Sequence, residues 1–129
     1  MLPRFVLRVL LGVLLVLLTG CGADGADSGP AAPTWAADMT TVPVSELPEE
    51  ARETLDLIDE GGPFPYAKDG SVFNNFERQL PEQPRGYYRE YTVPTPGSED
   101  RGARRIVTGK NGEVYYTDDH YGSFKAVLR

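Results

Sequence analysis

The chain predicts an α+β domain, one N-terminal helix packed on a small twisted antiparallel β-sheet, over residues 44–129 of a 129-residue sequence. Three features lead there. A single amphipathic segment follows Pro48. Segments rich in Tyr, Val, Thr and Ile fill the region from Ser71 to the end. Turn signals separate those segments, among them the pair Asn111-Gly112, which favours a tight hairpin. A helix first and strands afterwards, without alternation, is an α+β order. A domain of about 85 residues holds one modest core.

The elements follow in order. Residues 1–20 are expected to be an export leader. Arg4 and Arg8 make its start positive, and the apolar run to Leu18 is too short to span a bilayer. Leu18-Thr19-Gly20-Cys21 resembles the bacterial lipobox. That resemblance implies cleavage before Cys21 and lipidation of its sulfur, which would hold the protein on the outer face of a membrane. Cys21 is the sole cysteine, so no intramolecular disulfide can form. Residues 21–43 are rich in Gly, Ala, Asp, Ser, Thr and Pro and read as a flexible tether. Trp35 stands out from that composition without an assigned place.

Pro48 suits the first turn of a helix, and Glu49 and Glu50 favour its dipole. Ala51, Leu55 and Ile58 recur at i, i+4 and i+7, so the helix should run to about Asp59 and stop at Gly61-Gly62-Pro63. Gly62 to Tyr66 is a stiff loop, Lys68-Asp69-Gly70 a turn, and Ser71–Phe73 a short strand. Asn74 to Arg78 is a loop. Gly86–Val93, Ala103–Thr108, Glu113–Thr117 and Ser123–Leu128 complete the sheet.

The formal net charge is −6, and loss of Arg4 and Arg8 with the leader makes it more negative. A uniformly acidic protein binds nucleic acid poorly. The charge is uneven, however. Asp38 to Glu60 carries eight acids and one base, whereas Arg85 to Arg129 carries eight bases and six acids. A locally basic cleft on an acidic body is consistent with that pattern. The single His and single Cys leave no set for a structural zinc site, and neither a P-loop nor a Gly-x-Ser-x-Gly elbow occurs. No metal or other cofactor is expected.

Three kinds of side chain can carry chemistry. On a strand, Tyr88, Glu90 and Thr92 share one face, while Tyr87, Arg89, Tyr91 and Val93 share the other. Glu90 amid aromatic residues needs a cation, which Arg104 or Arg105 on the next strand could supply as a simple cross-strand ion pair. His120 lies in a loop beside Asp118 and Asp119, and is either a surface residue or a proton donor suited to neutral pH. Taken together with Arg101 and Arg105, the two make a complete set for cleaving RNA without a metal. Such cleavage needs a base for the 2′-OH, an acid for the departing 5′-oxygen and cations around the phosphorus.

The runs Gly62-Pro63-Phe64-Pro65-Tyr66, Phe73-Asn74-Asn75, Gly86-Tyr87-Tyr88-Arg89-Glu90-Tyr91-Thr92-Val93, Arg101-Gly102-Ala103-Arg104-Arg105 and Asp118-Asp119-His120-Tyr121 resemble the small secreted guanyl-specific bacterial ribonucleases, the barnase-like family. The likeness covers Val44 to Val127. It implies the microbial ribonuclease fold, with Glu90 as general base, His120 as general acid, Arg101 and Arg105 as phosphate-binding arginines and Tyr121 beside the reacting phosphate. It implies single-stranded RNA as partner and cleavage 3′ to guanosine through a 2′,3′-cyclic phosphate.

In the family, backbone N–H groups of the loop Phe73-Asn74-Asn75-Phe76-Glu77 meet guanine O6. Glu77 matches the carboxylate that accepts from guanine N1 and N2, and Phe73 or Tyr66 matches an aromatic against the base. A monomer is expected, and a cytoplasmic inhibitor of the barstar type would fit the family. This chain departs from the pattern at Phe76, where relatives usually carry Arg, and lacks the disulfide that often joins the domain's ends. The rival reading is a nucleotide- or protein-binding module on the same fold that has lost turnover.

Overall fold

The computed structural model describes residues 32–129; the expected leader, Cys21 and residues 21–31 of the expected tether lie outside the described residues. Helix α1, Glu49–Glu60, starts one residue after Pro48, with Glu49 and Glu50 in its first turn. It ends at Gly61, whose φ of +81° lets its N–H reach back to the carbonyl of Ile58 in a left-handed cap open to glycine. Ala51, Thr54 and Leu55 form its buried side, as the i, i+4 spacing requires.

Six strands form the sheet: β1 Thr41–Pro43, β2 Ser71–Phe73, β3 Tyr88–Thr92, β4 Arg105–Gly109, β5 Val114–Thr117 and β6 Lys125–Leu128. Their order across the sheet is β1-β6-β5-β4-β3-β2. The four pairings from β2 to β6 are antiparallel. The four long strands differ from the expected bounds by one or two residues at their ends.

The register divides the sheet into two faces. Ile106 opposes Tyr91 and Tyr116, on the face that α1 covers. There Leu47, Ala51 and Leu55 pack with Val93, Ile106, Val114, Tyr116 and Val127. On the other face Val107 opposes both Glu90 and Tyr115, and Arg105 opposes both Thr92 and Thr117. That face carries a second apolar cluster of Leu80, Tyr88, Val107, Tyr115, Phe124 and Ala126. The helix thus seals one side, and the polar residues Glu90 and Arg105 stand on the other, beyond its cover.

Two expectations need correction. The segment 32–43 is not a free tether. β1 adds to the edge of β6 in a parallel pairing, so the sheet is mixed rather than wholly antiparallel. A short 3₁₀ turn at Thr34–Ala36 buries Ala36, and the Trp35 ring meets Tyr115 edge-on at 5.4 Å between centroids. The domain therefore begins ahead of Val44. The physical reason is that β6 offers unpaired backbone groups at its edge, and Trp35 supplies enough apolar area to order a segment otherwise poor in it. β1 and β6 also bring the two ends of the domain together where no cysteine is available, and Arg129 pairs with Asp59 at the end of α1.

Candidate active site

Strands β2 and β3 and two loops wall a cleft of about 270 Å³, with Phe73, Asn75, Phe76, Glu77, Glu90 and Tyr121 among its lining residues. Glu90 enters it from the middle of β3. Its carboxylate lies 3.7 Å from Arg101 Nη2. Arg101 is itself held by two donations to Thr92 Oγ1, at 3.1 Å from Nε and 2.8 Å from Nη2. Thr92 is buried on the same face as Glu90, so the strand's period of two fixes where the guanidinium sits.

Arg105 is the most buried charge on this face, at 2 % exposure. Nη1 donates to the carbonyls of Gly102 at 3.0 Å and Arg104 at 2.7 Å, while Nε has no partner. Its Cζ lies 5.9 Å from the centre of the Tyr121 ring. Among the described residues no carboxylate stands within ion-pairing distance of it. A buried cation without a counter-charge costs several kcal/mol, which an anion bound beside it would offset. The loop that presents it depends on Gly102, whose φ is +65° and whose missing side chain would otherwise strike Thr95.

His120 and Tyr121 adopt left-handed backbone in succession, with φ of +55° and +69°. Each such non-glycine residue costs roughly 1–2 kcal/mol, which the surrounding hydrogen bonds offset. Thr117 Oγ1 accepts from the Tyr121 N–H at 3.2 Å, and the His120 N–H donates to the Ala103 carbonyl at 2.9 Å. Asp119 accepts from the Thr117 hydroxyl at 2.7 Å, the Ser123 hydroxyl at 2.6 Å and the Ser123 N–H at 2.8 Å. The outcome is an exposed His120 ring 4.9 Å from that of Tyr121. Burial first, and then the Glu90 carboxylate, push the Tyr121 phenol above its ordinary pKa, with Arg105 opposing them. Tyr121 is thus a neutral hydrogen-bond donor near neutral pH.

The donations to Asp119, led by the Ser123 hydroxyl, hold its carboxyl down at about 2 against an ordinary 3.8. A depressed carboxylate contributes stability above the unfolded-state value and loses it as pH falls through the folded-state value. The order that Asp119 gives this loop is therefore retained until pH falls from about 3.8 toward about 2. Thermal melts across that window should be steeper in pH for the parent than for Asp119→Asn. Equal slopes in the two proteins would refute this account of the loop.

The loop from Asn74 to Gln79 forms the other wall. Asn75 takes a left-handed φ of +53°, and its side chain bonds the Leu80 carbonyl and N–H at 2.9 and 3.1 Å. That amide is committed to shaping the loop, which leaves backbone groups to meet a ligand. Asn74 and Glu77 are exposed. Phe76 is 86 % exposed, so the departure from Arg at this position adds an aromatic face to the cleft rim rather than to the core. Phe73 stacks on Tyr121 with centroids 5.2 Å apart and meets Phe124 edge-on at 5.7 Å. The structure does not bring Tyr66 into the cleft. Its N–H donates to Asp69 Oδ2, and Asp69 Oδ1 accepts from the Thr92 N–H, so the turn is drawn to the end of β3 instead. Of the two aromatic candidates, Phe73 alone lines the site.

Gln79 was not foreseen. Its Nε2 donates to Glu77 Oε2 at 3.2 Å and to the Tyr121 carbonyl at 2.7 Å, linking the two loops. No periodicity marks a glutamine in a loop, so its place emerges only when the two loops are seen side by side.

A family model described as ribonuclease matches residues 31–128. The chain is 64% identical over 84 residues to guanyl-specific ribonuclease Sa3 of Kitasatospora aureofaciens, spanning 64% of this chain and 60% of that protein's length. It is 54% identical over 87 residues to guanyl-specific ribonuclease St of Saccharopolyspora erythraea, spanning 67% of this chain and 86% of that one. In three dimensions it is similar to ribonuclease Sa2 solved with guanosine-2′-cyclophosphate, at 49% identity and a TM-score of 0.68 over 70% of this chain and 96% of that one.

Proposed function

The chain belongs to the guanyl-specific microbial ribonucleases, and from that membership we propose that it is an endoribonuclease that cuts single-stranded RNA 3′ to guanosine without a metal ion. The observation that carries this reading is Arg105. A guanidinium at 2 % exposure, without a carboxylate in reach and 5.9 Å from the ring of Tyr121, which with Glu90 lines the cleft, is matched by a phosphodiester that brings the counter-charge with it.

Glu90 takes the proton from the 2′-OH, and the resulting alkoxide attacks phosphorus. His120 gives a proton to the departing 5′-oxygen. Arg101 and Arg105 meet the charge that spreads over the phosphoryl oxygens, with the Tyr121 phenol donating beside them. A water then opens the 2′,3′-cyclic phosphate with the two proton-transfer roles exchanged. Glu77 accepts from guanine N1 and N2 together, a pair of adjacent donors that adenine lacks. The backbone of Asn74 and Asn75 faces O6, and the exposed Phe76 offers a stacking surface to a base.

Incubation with RNA in excess EDTA should yield fragments that end in guanosine 2′,3′-cyclic phosphate and later in the 3′-phosphate. Tight binding without fragments, or cleavage that stops when EDTA is added, would overturn the reading. For location, we propose export and a lipid on Cys21, supported by the Leu18-Thr19-Gly20-Cys21 run. Labelled fatty acid should enter the parent and not Cys21→Ser when each is made in a bacterium that processes lipoproteins. Equal labelling of both would refute it.

A further inference from the structure

Two loops have separate tasks in the reaction proposed above. The loop from Asn74 to Leu80 reads the base, and the loop from Asp118 to Ser123 holds His120 and Tyr121 against the phosphate. Cleavage beside guanosine requires both to be occupied by one nucleotide at once. In the structure a single amide joins them. Gln79 Nε2 has two hydrogens and uses one on Glu77 Oε2, at 3.2 Å, and the other on the Tyr121 carbonyl, at 2.7 Å.

We propose that Gln79 is a positioning residue that sets guanine preference by fixing Glu77 relative to the catalytic loop. This rests on the base-reading role given to Glu77. Glu77 is exposed, and an exposed glutamate samples many rotamers. Reading guanine needs both of its oxygens turned toward two adjacent donors. Fixing that orientation before the base arrives removes an ordering cost from binding. The geometry allows this without blocking the site. A carboxylate oxygen has two lone-pair sites, so Oε2 can accept from Gln79 and from guanine together.

The other half of the link has an equally direct purpose. Gln79 anchors the carbonyl of a residue whose φ is +69°, and Tyr121 also carries the stack with Phe73. A displacement of the base-reading loop is therefore transmitted to the ring beside the phosphate.

Gln79→Leu keeps the side chain's bulk and deletes both donations. With minimal guanylyl and adenylyl dinucleoside substrates, it should lower kcat/KM for guanosine by about three- to tenfold, the equivalent of ordering one mobile side chain. The loss should fall mainly on KM, and the ratio of guanosine to adenosine cleavage should drop with it. Gln79→Met is the second replacement, and thermal melts accompany both, because a residue that only stabilised the loop would lower both substrates equally. In a Glu77→Ala background the same substitutions should have no further effect on the ratio, since the group they orient is gone.

An unchanged ratio in Gln79→Leu and Gln79→Met, with guanine preference lost in Glu77→Ala, overturns this inference alone. Guanine preference that survives Glu77→Ala overturns the base-reading role of Glu77 and the inference with it.

Discussion

Replacing Glu90 by glutamine should lower kcat by about 10²–10⁴-fold, the usual worth of a positioned general base, and leave the fold in place. Glutamine matches the shape of glutamate but cannot accept the 2′-OH proton. The substitution removes the ion pair with Arg101, yet Arg101 keeps its two donations to Thr92, so its guanidinium should stay where it is. The pair is partly exposed, at 31 % for Arg101 and 15 % for Glu90, and such pairs contribute about 1 kcal/mol or less. His120→Ala tests the other end of the proton transfer and should cost a similar factor. His120→Asn is its control, because asparagine tolerates the left-handed backbone at that position. The assay is cleavage of a short RNA with one guanosine, read beside a thermal melt. Parent-like rates in both Glu90→Gln and His120→Ala would overturn the assignment. The double variant should be little slower than the worse single one, because base and acid act in the same step.

That prediction can be framed from sequence because a strand's period of two puts Glu90 on one face with Tyr88 and Thr92, and the structure keeps it there. The helix was legible for a similar reason, through the spacing of Ala51, Leu55 and Ile58. What sequence did not reveal depends on contacts between distant segments. Thr41-Val42-Pro43 has the composition of a linker and becomes a strand only because β6 presents an open edge. Tyr66 and Phe73 are both loop-side aromatics, and only the bonds of Asp69 to the Tyr66 and Thr92 N–H groups show which of them is drawn away. Gln79 has no pattern at all in one dimension. The burial of Arg105 also runs against the surface habit of arginine, and follows from its place between Thr92 and Thr117 in the register.

Arg105 therefore supports the second large prediction, in which activity and stability move apart. Arg105→Met replaces the guanidinium with an apolar side chain of comparable length. Loss of one preorganised donor to developing charge typically costs about 10²–10³-fold in kcat, and that loss is expected here. Stability is decided by opposing effects. The Gly102 and Arg104 carbonyls lose a donor, at about 1 kcal/mol each, although Arg104 keeps the Val93 N–H at 3.1 Å. Against this, a cation at 2 % exposure with an unpartnered Nε disappears from the interior, and replacing buried charge by apolar side chains is often neutral or stabilising by about 1–4 kcal/mol. The variant should melt at or above the parent's temperature in a buffer free of polyvalent anions.

Inorganic phosphate then separates the two proteins. A ligand at 100 times its Kd raises stability by about 2.7 kcal/mol, so the parent's melting temperature should climb with phosphate while that of Arg105→Met stays nearly flat. A variant that loses several kcal/mol and still responds to phosphate would show Arg105 to be a structural arginine whose removal merely loosens the sheet. A more stable, phosphate-insensitive and slow variant would mean that the buried guanidinium is retained at a cost in stability because the reacting phosphodiester needs it there.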